Sequence, residues 1–533
     1  MGNLYFGDNL FVLRDEIKSE SIDLVYLDPP FNSKRDYNLL FKTPKGHDSD
    51  AQITAFDDTW HWGEQAEREF DELLHQSNTD VAEMIQSMRR FLKESDMMAY
   101  LTMMANRLIE LHRVLKPNGS LYIHCDPTAS HYLKIVLDTV FGAENYTNEL
   151  IWQRTSSHND SKKWASVHDT ILYYVKNSNA TWNAVYLDYD EKYLNDFYRY
   201  QDERGKYRLD HIIRSATMGA RPNLAYEYKG YTPEWGWRVI REKLEKLDND
   251  NRLEWSKTGR PYLKRYLEEQ KGTPIKSVIT DIAPLSAQSA EKLGYPTQKP
   301  LVLLERIIQA SSNPGDVVLD PFCGCGTAVH AAQSLGRDWI GIDVTHLAIS
   351  LIEKRMKAAF PNINFEVHGT PVDFDGARNL SERDKYQFQW WACSLVNAQP
   401  YQGKKKGSDG GIDGLLFFQD DEQGAKKIVV SVKGGEHVSV TMVKDLIATV
   451  EREKAAIGLF VTLAEPTKPM ITEAVSAGFY QSPKGNVPKI QILKIEDLLS
   501  GKEKPQYFDM SSGMYNFKKA KVEKQKAEQK KLL

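Results

Sequence analysis

Apolar and polar residues follow two periodicities along the chain, which predict strands and helices in alternation. The short apolar run "IDLVYL", at 22–27, is typical of a buried strand. The longer segment "MMAYLTMMANRLIELHRVL", at 97–115, has apolar residues at helical spacing, and "KPNG" ends it. A second strand–helix–strand series covers 315–344. Strands that alternate with helices predict an α/β domain with a mostly parallel sheet.

The segment between these two series has a different composition. From Arg221 to Lys276 it carries 13 Lys or Arg, 9 Asp or Glu and 8 Tyr or Trp, without a clean alternation of strands and helices. Basic charge mixed with aromatic rings suits contact with DNA. A mixed-charge surface domain would have the same composition, so composition alone favours neither interpretation.

Overall composition excludes several classes of protein. A chain of 533 residues with a formal net charge of −4 has room for more than one domain, and any surface for nucleic acid must be local. Its four cysteines are too few for a disulfide framework, which indicates a reducing compartment. Neither a signal peptide nor the run of about 18 apolar residues of a membrane span is present. The sequence therefore predicts a cytoplasmic protein.

The segment "LDPFCGCGT", at 319–327, combines a strand end, a glycine-rich turn and a helix start. Gly324 and Gly326 let the backbone approach a ligand closely, and the helix start presents free N–H groups. The next strand ends at Asp343, where a carboxylate can bind ribose hydroxyls. Asp320 would repel a pyrophosphate and suits a positively charged ligand group. The pattern favours a nucleotide-like cofactor over a purely structural turn.

Four motifs together carry a family resemblance: "DPPF" at 28–31, "DPFCGCGT" at 320–327, "GID" at 341–343 and "YPTQKP" at 295–300. In identity and order they resemble the β group of N6-adenine and N4-cytosine DNA methyltransferases, which use S-adenosylmethionine. The resemblance covers about 1–358. It implies a Rossmann-like α/β fold with permuted motif order, an inserted target-recognition region and double-stranded DNA as the partner, and it leaves a homodimer open.

The resemblance also implies the residues that hold the cofactor. Asp8 would lie near the adenine, and Asp343 would bind the ribose. Cys325 stands where the family often has serine. The methionine side and the segment that closes over the cofactor would be formed by Asp320, Phe322, Gly324, Gly326 and Thr327, and by Thr297, Gln298, Lys299 and Pro300.

The Asp28-Pro29-Pro30-Phe31 segment suits an attack by an exocyclic amine. Such an amine is a poor nucleophile, because its lone pair is delocalised into the base. The Asp28 carboxylate and the Pro29 carbonyl offer two acceptors for its N–H groups, and proline fixes the backbone. Phe31 can stack on a base rotated out of the duplex. We therefore predict these four residues as the catalytic segment.

The identity of residue 28 indicates which base is the target. Enzymes of this kind that modify cytosine N4 more often begin the motif with serine, so Asp28 favours adenine N6. Methylation of cytosine N4 stays as the alternative within the same chemistry. A DNA-binding protein in which neither site turns over is the alternative of a different class.

A third module follows, in which "GSDGGIDGLLFF" precedes "KKIVVSVKGG". Its strands and helices resemble the Mrr-like restriction endonuclease fold, with Asp413 and Lys433 at the positions of an acid and a lysine. Ser431 stands where that family has Glu or Gln, and Glu382 on the preceding helix is a candidate carboxylate. The resemblance implies Mg²⁺ held by Asp413 if the module cleaves DNA. A binding module that no longer cuts is the equal alternative.

These patterns predict a division of the chain into six segments. They are the catalytic half of the methyltransferase domain (1–180), the target-recognition region (181–285), the cofactor-binding half (286–358), a linker (359–383), the endonuclease-like domain (384–505) and a basic tail (506–533).

Overall fold

The computed structural model describes most of the chain. The residues described are 2–30, 36–42, 48–57, 61–76, 78–155, 162, 164–286, 289, 291, 298–401, 411–421 and 424–510. None of the helices in these ranges is both long and apolar enough to cross a membrane.

A nine-stranded sheet forms the centre of the methyltransferase-like part. Six neighbouring strands at one side of this sheet are parallel, and His168–Val175 is antiparallel to both of its neighbours. The predicted mostly parallel α/β sheet is therefore confirmed. In spatial order the strands are Val278–Ile279, Tyr146–Gln153, His168–Val175, Leu115–Cys125, Ile22–Leu27, Val317–Asp320, Asp338–Asp343, Gly2–Phe6 and Phe365–His368.

Both faces of this sheet are covered. Along Ile22–Leu27, Val25 and Leu27 pack into one apolar cluster, whereas Leu24 and Tyr26 pack into the other. Side chains alternate between the two faces of a strand, so a strand buried on both sides is apolar throughout. The helices around the sheet are Asn9–Asp15, Glu64–Leu74, Thr79–Leu92, Asp96–Val114, Ser130–Phe141, Leu301–Ser311, Thr327–Ser334 and His346–Ala359, and a separate hairpin pairs Asp36–Lys42 with Asp48–Asp57.

The register of two strands distant in sequence positions the site. Val318 pairs with Leu24, and Leu319 pairs with Val25, in parallel orientation. The carboxyl ends of parallel neighbours lie at the same edge of a sheet. Asp28 and Asp320 therefore meet at one edge, although more than half of the length of the chain separates them.

Residues 184–276 form a compact unit of their own. Its small core contains Trp237, Leu244 and Leu253. The elements of this unit are a four-stranded antiparallel sheet in the order Leu253–Trp255, Pro261–Tyr266, Gly205–His211 and Tyr200–Asp202, a short pair of Tyr186–Leu187 with Thr273–Pro274, and the helices Glu191–Phe197 and Arg241–Asn249.

The C-terminal part is built on a five-stranded mixed sheet. Its strands run in the spatial order Gln399–Pro400, Gly414–Phe418, Lys426–Lys433, Ile457–Thr462 and Ile490–Lys494, of which the last three are parallel. The remaining elements are the hairpin Phe479–Ser482 with Gly485–Pro488 and the helices Phe374–Arg383, Lys385–Leu395, Val440–Arg452, Lys468–Ser476 and Ile495–Leu499.

The segment 359–383, expected as a linker, contains regular structure. Phe365–His368 pairs in parallel with Gly2–Phe6 at the edge of the large sheet. Phe374–Arg383 is a helix whose Ala377 and Leu380 pack into the core of the C-terminal part. The polar composition of this segment reflects elements at the protein surface, each with one buried face.

Candidate active site

A cavity of about 430 Å³ lies at the edge of the large sheet where Asp28 and Asp320 meet. It is lined by most of the residues that the sequence assigned to catalysis and to the cofactor. These lining residues are Asp8, Asp28, Pro30, Gln298, Lys299, Asp320, Phe322, Gly324, Thr327 and Asp343. Pro29 is buried and is not among the lining residues, and Pro300 precedes the helix Leu301–Ser311. Phe31 and Thr297 lie outside the described residues.

Asp28 follows directly on the strand Ile22–Leu27 and forms an ion pair with Lys299. The two side chains are 16% and 10% exposed, so the pair is largely shielded from water. A contact between residues 271 positions apart joins the predicted catalytic segment to the predicted cofactor segment. Lys299 thereby fixes the position of the Asp28 carboxylate at the cavity wall.

The turn between Val317–Asp320 and the helix Thr327–Ser334 depends on its glycines. Gly326 has a φ of +73°, and a Cβ atom there would lie 2.8 Å from Cγ1 of Ile352. A side chain would be both strained and obstructed, so only glycine fits. The Arg355 guanidinium donates to the carbonyl of Cys325 at 2.9 Å and to Oγ1 of Thr327 at 3.2 Å. This buried arginine fixes the turn against the helix His346–Ala359.

Asp343 is the acid at the end of the neighbouring strand. Its Oδ2 accepts from the Gly324 N–H at 2.9 Å, and its Oδ1 accepts from the N–H and Oγ1 of Thr345 at 2.9 and 2.8 Å. Burial raises the pKa of this carboxyl to about 6. A carboxylate held in this way can accept hydrogen bonds from a diol ligand.

Asp320 contributes a second buried carboxyl to the cavity. Its Oδ1 accepts from the Phe322 N–H at 3.1 Å. Burial raises its pKa well above the usual range, and the charges of Asp28 and Asp343 add to this effect. A cationic ligand group would stabilise the ionised form of this cluster of acids, as the sequence suggested for the position.

Asp8 belongs to a network that the sequence did not reveal. Its carboxylate accepts from the Leu10 N–H at 2.8 Å, which starts the helix Asn9–Asp15, and from Arg107 at 3.0 and 3.2 Å. Arg107 also donates to Oδ1 of Asn9 at 2.6 Å, and Nδ2 of Asn9 donates to the Pro321 carbonyl at 2.8 Å. The network joins the N-terminal segment to the glycine-rich turn.

Several further lining residues were not among the predicted site residues. Arg107 had one available signal, since a cation within the apolar segment 97–115 needs a buried acid as its partner. The remaining lining residues missed are Gly7, Asn9, Tyr26, Gln65, Met103, Leu304, Pro321, Cys323, Cys325, Ala328, Val344 and Thr345.

The second predicted site, in the C-terminal part, has a different character. The Oδ2 atom of Asp413 accepts from the Val432 N–H at 2.6 Å and from Oγ of Ser431 at 3.3 Å, and Nζ of Lys433 lies 3.7 Å away. Its Oδ1 atom accepts from Nε2 of Gln389 at 2.9 Å. The predicted Asp413, Ser431 and Lys433 are therefore brought together, around a carboxylate that already receives several donors.

Gln389 is the residue that the helix before this sheet brings to Asp413. Glu382, the carboxylate considered from the sequence, lies on the separate helix Phe374–Arg383. The helix Lys385–Leu395, which carries Gln389, begins only after Asp384, whose side chain caps it. Because the helix is interrupted at Asp384, Gln389 and not Glu382 donates to Asp413.

The described partners of Asp413 include an amide, a hydroxyl, an ammonium and a backbone N–H. Magnesium is usually held by carboxylates. Within the described ranges, no three His, Cys, Asp or Glu side chains are grouped so that they could hold a metal ion. Mg²⁺ at Asp413 therefore stays a prediction.

Comparison with known protein families agrees with the folds of the methyltransferase-like part and of the C-terminal part. Residues 22–354 match a family model described as DNA methylase, and residues 380–498 match one described as restriction endonuclease. The first match covers more than half of the chain. The chain therefore belongs to the DNA methylase family of N6-adenine and N4-cytosine enzymes, and it carries an Mrr-like C-terminal domain.

Individual relatives cover parts of the chain. The Type II methyltransferase M.EcaI of Enterobacter cloacae is 36% identical over 264 residues, which are 48% of this chain and 57% of the relative. The Mod subunit of the Type III restriction-modification enzyme StyLTI of Salmonella typhimurium is 26% identical and matched over 50% of its length. The chain thus spans only about half of these two relatives. The DNA adenine methyltransferase YhdJ of Escherichia coli is 24% identical over 66% of this chain and 82% of its own.

Solved structures with a related arrangement have low overall similarity. A DNA modification methylase from Thermus thermophilus, complexed with S-adenosylmethionine, is 17% identical with a TM-score of 0.32. It is matched over 99% of its length and 69% of this chain. The cytosine-N4-specific PvuII DNA methyltransferase is 12% identical with a TM-score of 0.35, over 89% of its length and 68% of this chain.

Proposed function

We propose that this protein transfers a methyl group from S-adenosylmethionine to the N6 amino group of adenine in double-stranded DNA. The observation that carries the proposal is a single cavity that contains both Asp28 and the Gly324–Asp343 cradle. An amine-binding acid and a site for a nucleoside-like cofactor then lie within reach of one another. Positioning of two reactants in this way supplies much of the acceleration of a group transfer.

The residues of the cavity fit S-adenosylmethionine in chemical character. Asp343 would accept from the ribose hydroxyls, Asp8 would lie near the adenine, and the buried acids would complement a positive charge. When bound, this cofactor supplies an electrophilic methyl group on a sulfonium. The cavity volume of about 430 Å³ is within the range of small-molecule sites.

The catalytic segment would bind and orient the target amine. Asp28 would accept from one N–H of the amine and the Pro29 carbonyl from the other, which favours the tetrahedral nitrogen that forms during attack. Lys299, paired with Asp28, holds that carboxylate in place. Phe31, which lies outside the described residues, would stack on the flipped base.

The unit 184–276 is the part that we propose reads the DNA sequence. It presents the exposed aromatic side chains Phe197 and Tyr200, which can stack on bases or sugars. Its boundary differs by a few residues from the predicted region 181–285. A homodimer and a cytoplasmic location stay predictions.

The experiment that tests the proposal is methyl transfer from tritiated S-adenosylmethionine to DNA from a host without DNA methylation, followed by nucleoside analysis. Labelled N6-methyladenine supports the proposal. Labelled N4-methylcytosine would show that the target is cytosine and not adenine. No label in diverse genomic DNA would favour a protein that only binds DNA. Sequencing of the modified positions would identify the recognition site.

For the C-terminal domain we propose DNA contact without Mg²⁺-dependent cleavage. The supporting observation is the Asp413 carboxylate, which accepts from Gln389, Ser431 and Val432. A carboxylate that is engaged by protein donors contributes to structure more readily than to a metal site. Incubation of the whole protein with plasmid DNA and Mg²⁺ tests this, and cleavage that is lost in Lys433→Ala would contradict it.

A further inference from the structure

A row of hydrogen-bonded side chains leads from the cavity wall to the protein surface. Tyr26 lines the cavity two residues before Asp28, so both belong to the same side of their strand. The hydroxyl of Tyr26 lies 3.2 Å from Nδ1 of His124, whose Nε2 lies 3.0 Å from Oδ2 of Asp169. Oδ1 of Asp169 lies 3.0 Å from Nε of Arg154, and this arginine is 44% exposed.

The hydrogen-bond partners of Tyr26, His124 and Asp169 determine which atom donates in each of their hydrogen bonds. An ionised Asp169 can only accept, so His124 donates its Nε2–H to the carboxylate and keeps a lone pair on Nδ1. Nδ1 then accepts the O–H of Tyr26. The oxygen of Tyr26 is left with acceptor capacity, and Tyr26 lines the same cavity as Asp28, where the target amine would lie.

The charge state of each group agrees with this arrangement. Burial, and next the charge of Lys299, lowers the pKa of His124, so the imidazole is neutral. Burial opposes ionisation of Asp169, but the hydrogen bond from His124 together with the charges of His124, Lys299 and Arg154 lowers the pKa of Asp169. Burial, with Asp28 and Asp320 as further causes, raises the pKa of Tyr26 well above its usual value.

We propose that Tyr26 and His124 accept the proton that the target amine loses on methylation, and that Asp169 is their positioning residue. This inference rests on the proposed function. The lone pair of the amine forms the new bond to the methyl carbon, and the electrons of the carbon–sulfur bond stay on sulfur. One proton moves from the amine nitrogen to the Tyr26 oxygen, while the hydroxyl proton moves to Nδ1 of His124.

The products of this step balance in charge. The methylated amine is neutral, the cofactor product is a neutral thioether, and His124 has become an imidazolium next to the Asp169 carboxylate. Proton transfer by a positioned side chain contributes about 100-fold to 10,000-fold in rate. The imidazolium returns its proton to water after the methylated base has left.

A matched control for Tyr26 exists on the neighbouring strand. Tyr122 is the register partner of Tyr26, and both tyrosines are 2% exposed. The Tyr122 hydroxyl pairs with Oγ of Ser311 at 2.6 Å, and Tyr122 is not among the residues that line the cavity. Tyr26→Phe and Tyr122→Phe therefore each remove one buried hydroxyl that is hydrogen-bonded to another side chain.

The test compares single-turnover methyl transfer by the full chain on unmethylated plasmid DNA, with tritiated S-adenosylmethionine. Tyr26→Phe is expected to slow transfer about 100-fold, with unchanged affinity for S-adenosylhomocysteine, whereas Tyr122→Phe keeps the wild-type rate. Asp169→Asn should also slow transfer, because an NH₂ donor replaces one of the two oxygens that accept from His124 and Arg154. The equivalent change in a catalytic triad is strongly damaging. The wild-type rate should fall in D₂O, and this isotope effect should vanish in both slow variants.

Two results would overturn the relay while methyl transfer itself persists. One is a wild-type rate for Tyr26→Phe, and the other is an equal loss of rate in Tyr122→Phe. A solvent isotope effect that stays unchanged in Asp169→Asn would reduce Asp169 to a structural role. Absence of transfer by the wild-type protein would instead contradict the proposed function, and the relay with it.

Discussion

Two aspartate sites in this protein lie at strand ends, and they differ in what surrounds the carboxylate. At the large sheet, Asp28, Asp320 and Asp343 line one cavity. In the C-terminal domain, Asp413, which directly precedes the strand Gly414–Phe418, is buried and receives donors from the amide of Gln389 and from the segment around Ser431. Several acids share a ligand-sized cavity at the first site, whereas the described donors at the second converge on one acid.

The presence of a motif in the sequence therefore does not by itself show that its carboxylate can act on a ligand. A buried carboxylate costs free energy unless it is paired, and the pairing can come from the protein or from a ligand. Burial raises the pKa of Asp320 and of Asp343 in the ligand-free protein. The ionised form of Asp320, which shares the cavity with Asp28 and Asp343, gains from a bound cation.

The largest expected effect is the loss of methyl transfer in Asp28→Ala. Removal of an acceptor that acts on the developing positive nitrogen should lower the rate of transfer by about 1,000-fold or more. Binding of S-adenosylhomocysteine should remain, and calorimetry measures it. Glu353→Gln, which removes an exposed pair with Lys357, is the control and should keep full activity. Retained turnover in Asp28→Ala would show that the catalytic segment is elsewhere.

The next effect concerns Asp343 and pH. Its pKa of about 6 means that the carboxylate is ionised above this pH and protonated below it. Because ribose hydroxyls donate best to the ionised form, cofactor affinity should fall as the pH is lowered through about 6, by up to about tenfold per pH unit.

In Asp343→Asn the affinity should be lower at neutral pH by about tenfold, the value of one hydrogen bond to a charged group. It should also be independent of pH in that range. Calorimetric titration with S-adenosylhomocysteine measures both proteins. A wild-type affinity that does not change across pH 6 would contradict the assignment of Asp343 to the ribose.

Much of the fold and of the first site follows from local sequence. The apolar runs that end at Leu27 and Asp320 predicted parallel strands, and parallel strands bring the residues after them to one edge. Gly326 was predictable because its position requires a positive φ. Arg107 was missed because its partners Asp8 and Asn9 are about a hundred positions away, and helical periodicity does not report such contacts.

The C-terminal site was harder to predict for a physical reason. Glu382 and Gln389 are seven residues apart, which on one continuous helix would place both on the same face. Asp384 instead ends one helix and caps the next. The interruption resets the direction of the second helix, and Gln389 rather than Glu382 reaches Asp413.

A smaller effect is expected from the addition of a carboxylate at this site. Gln389→Glu places a second acid beside Asp413, so Mg²⁺ should bind and raise the midpoint of thermal unfolding by about 2 °C or more. The wild-type protein should show no such rise, and neither should Glu382→Gln. An equal Mg²⁺-dependent rise in the wild-type protein would mean that the native residues already bind the metal.

The smallest effect is expected for Lys433→Ala. Its Nζ lies 3.7 Å from Asp413, and the lysine side chain is 32% exposed. A pair of this length that is open to water should change the free energy of unfolding by less than about 1 kcal/mol. Lys299→Ala leaves the shielded Asp28 without its partner and should cost about 3 kcal/mol. Urea unfolding of both variants measures the contrast. Equal costs would mean that the two aspartates depend on their lysines to the same degree, and the distinction between a ligand site and a structural carboxylate would fail.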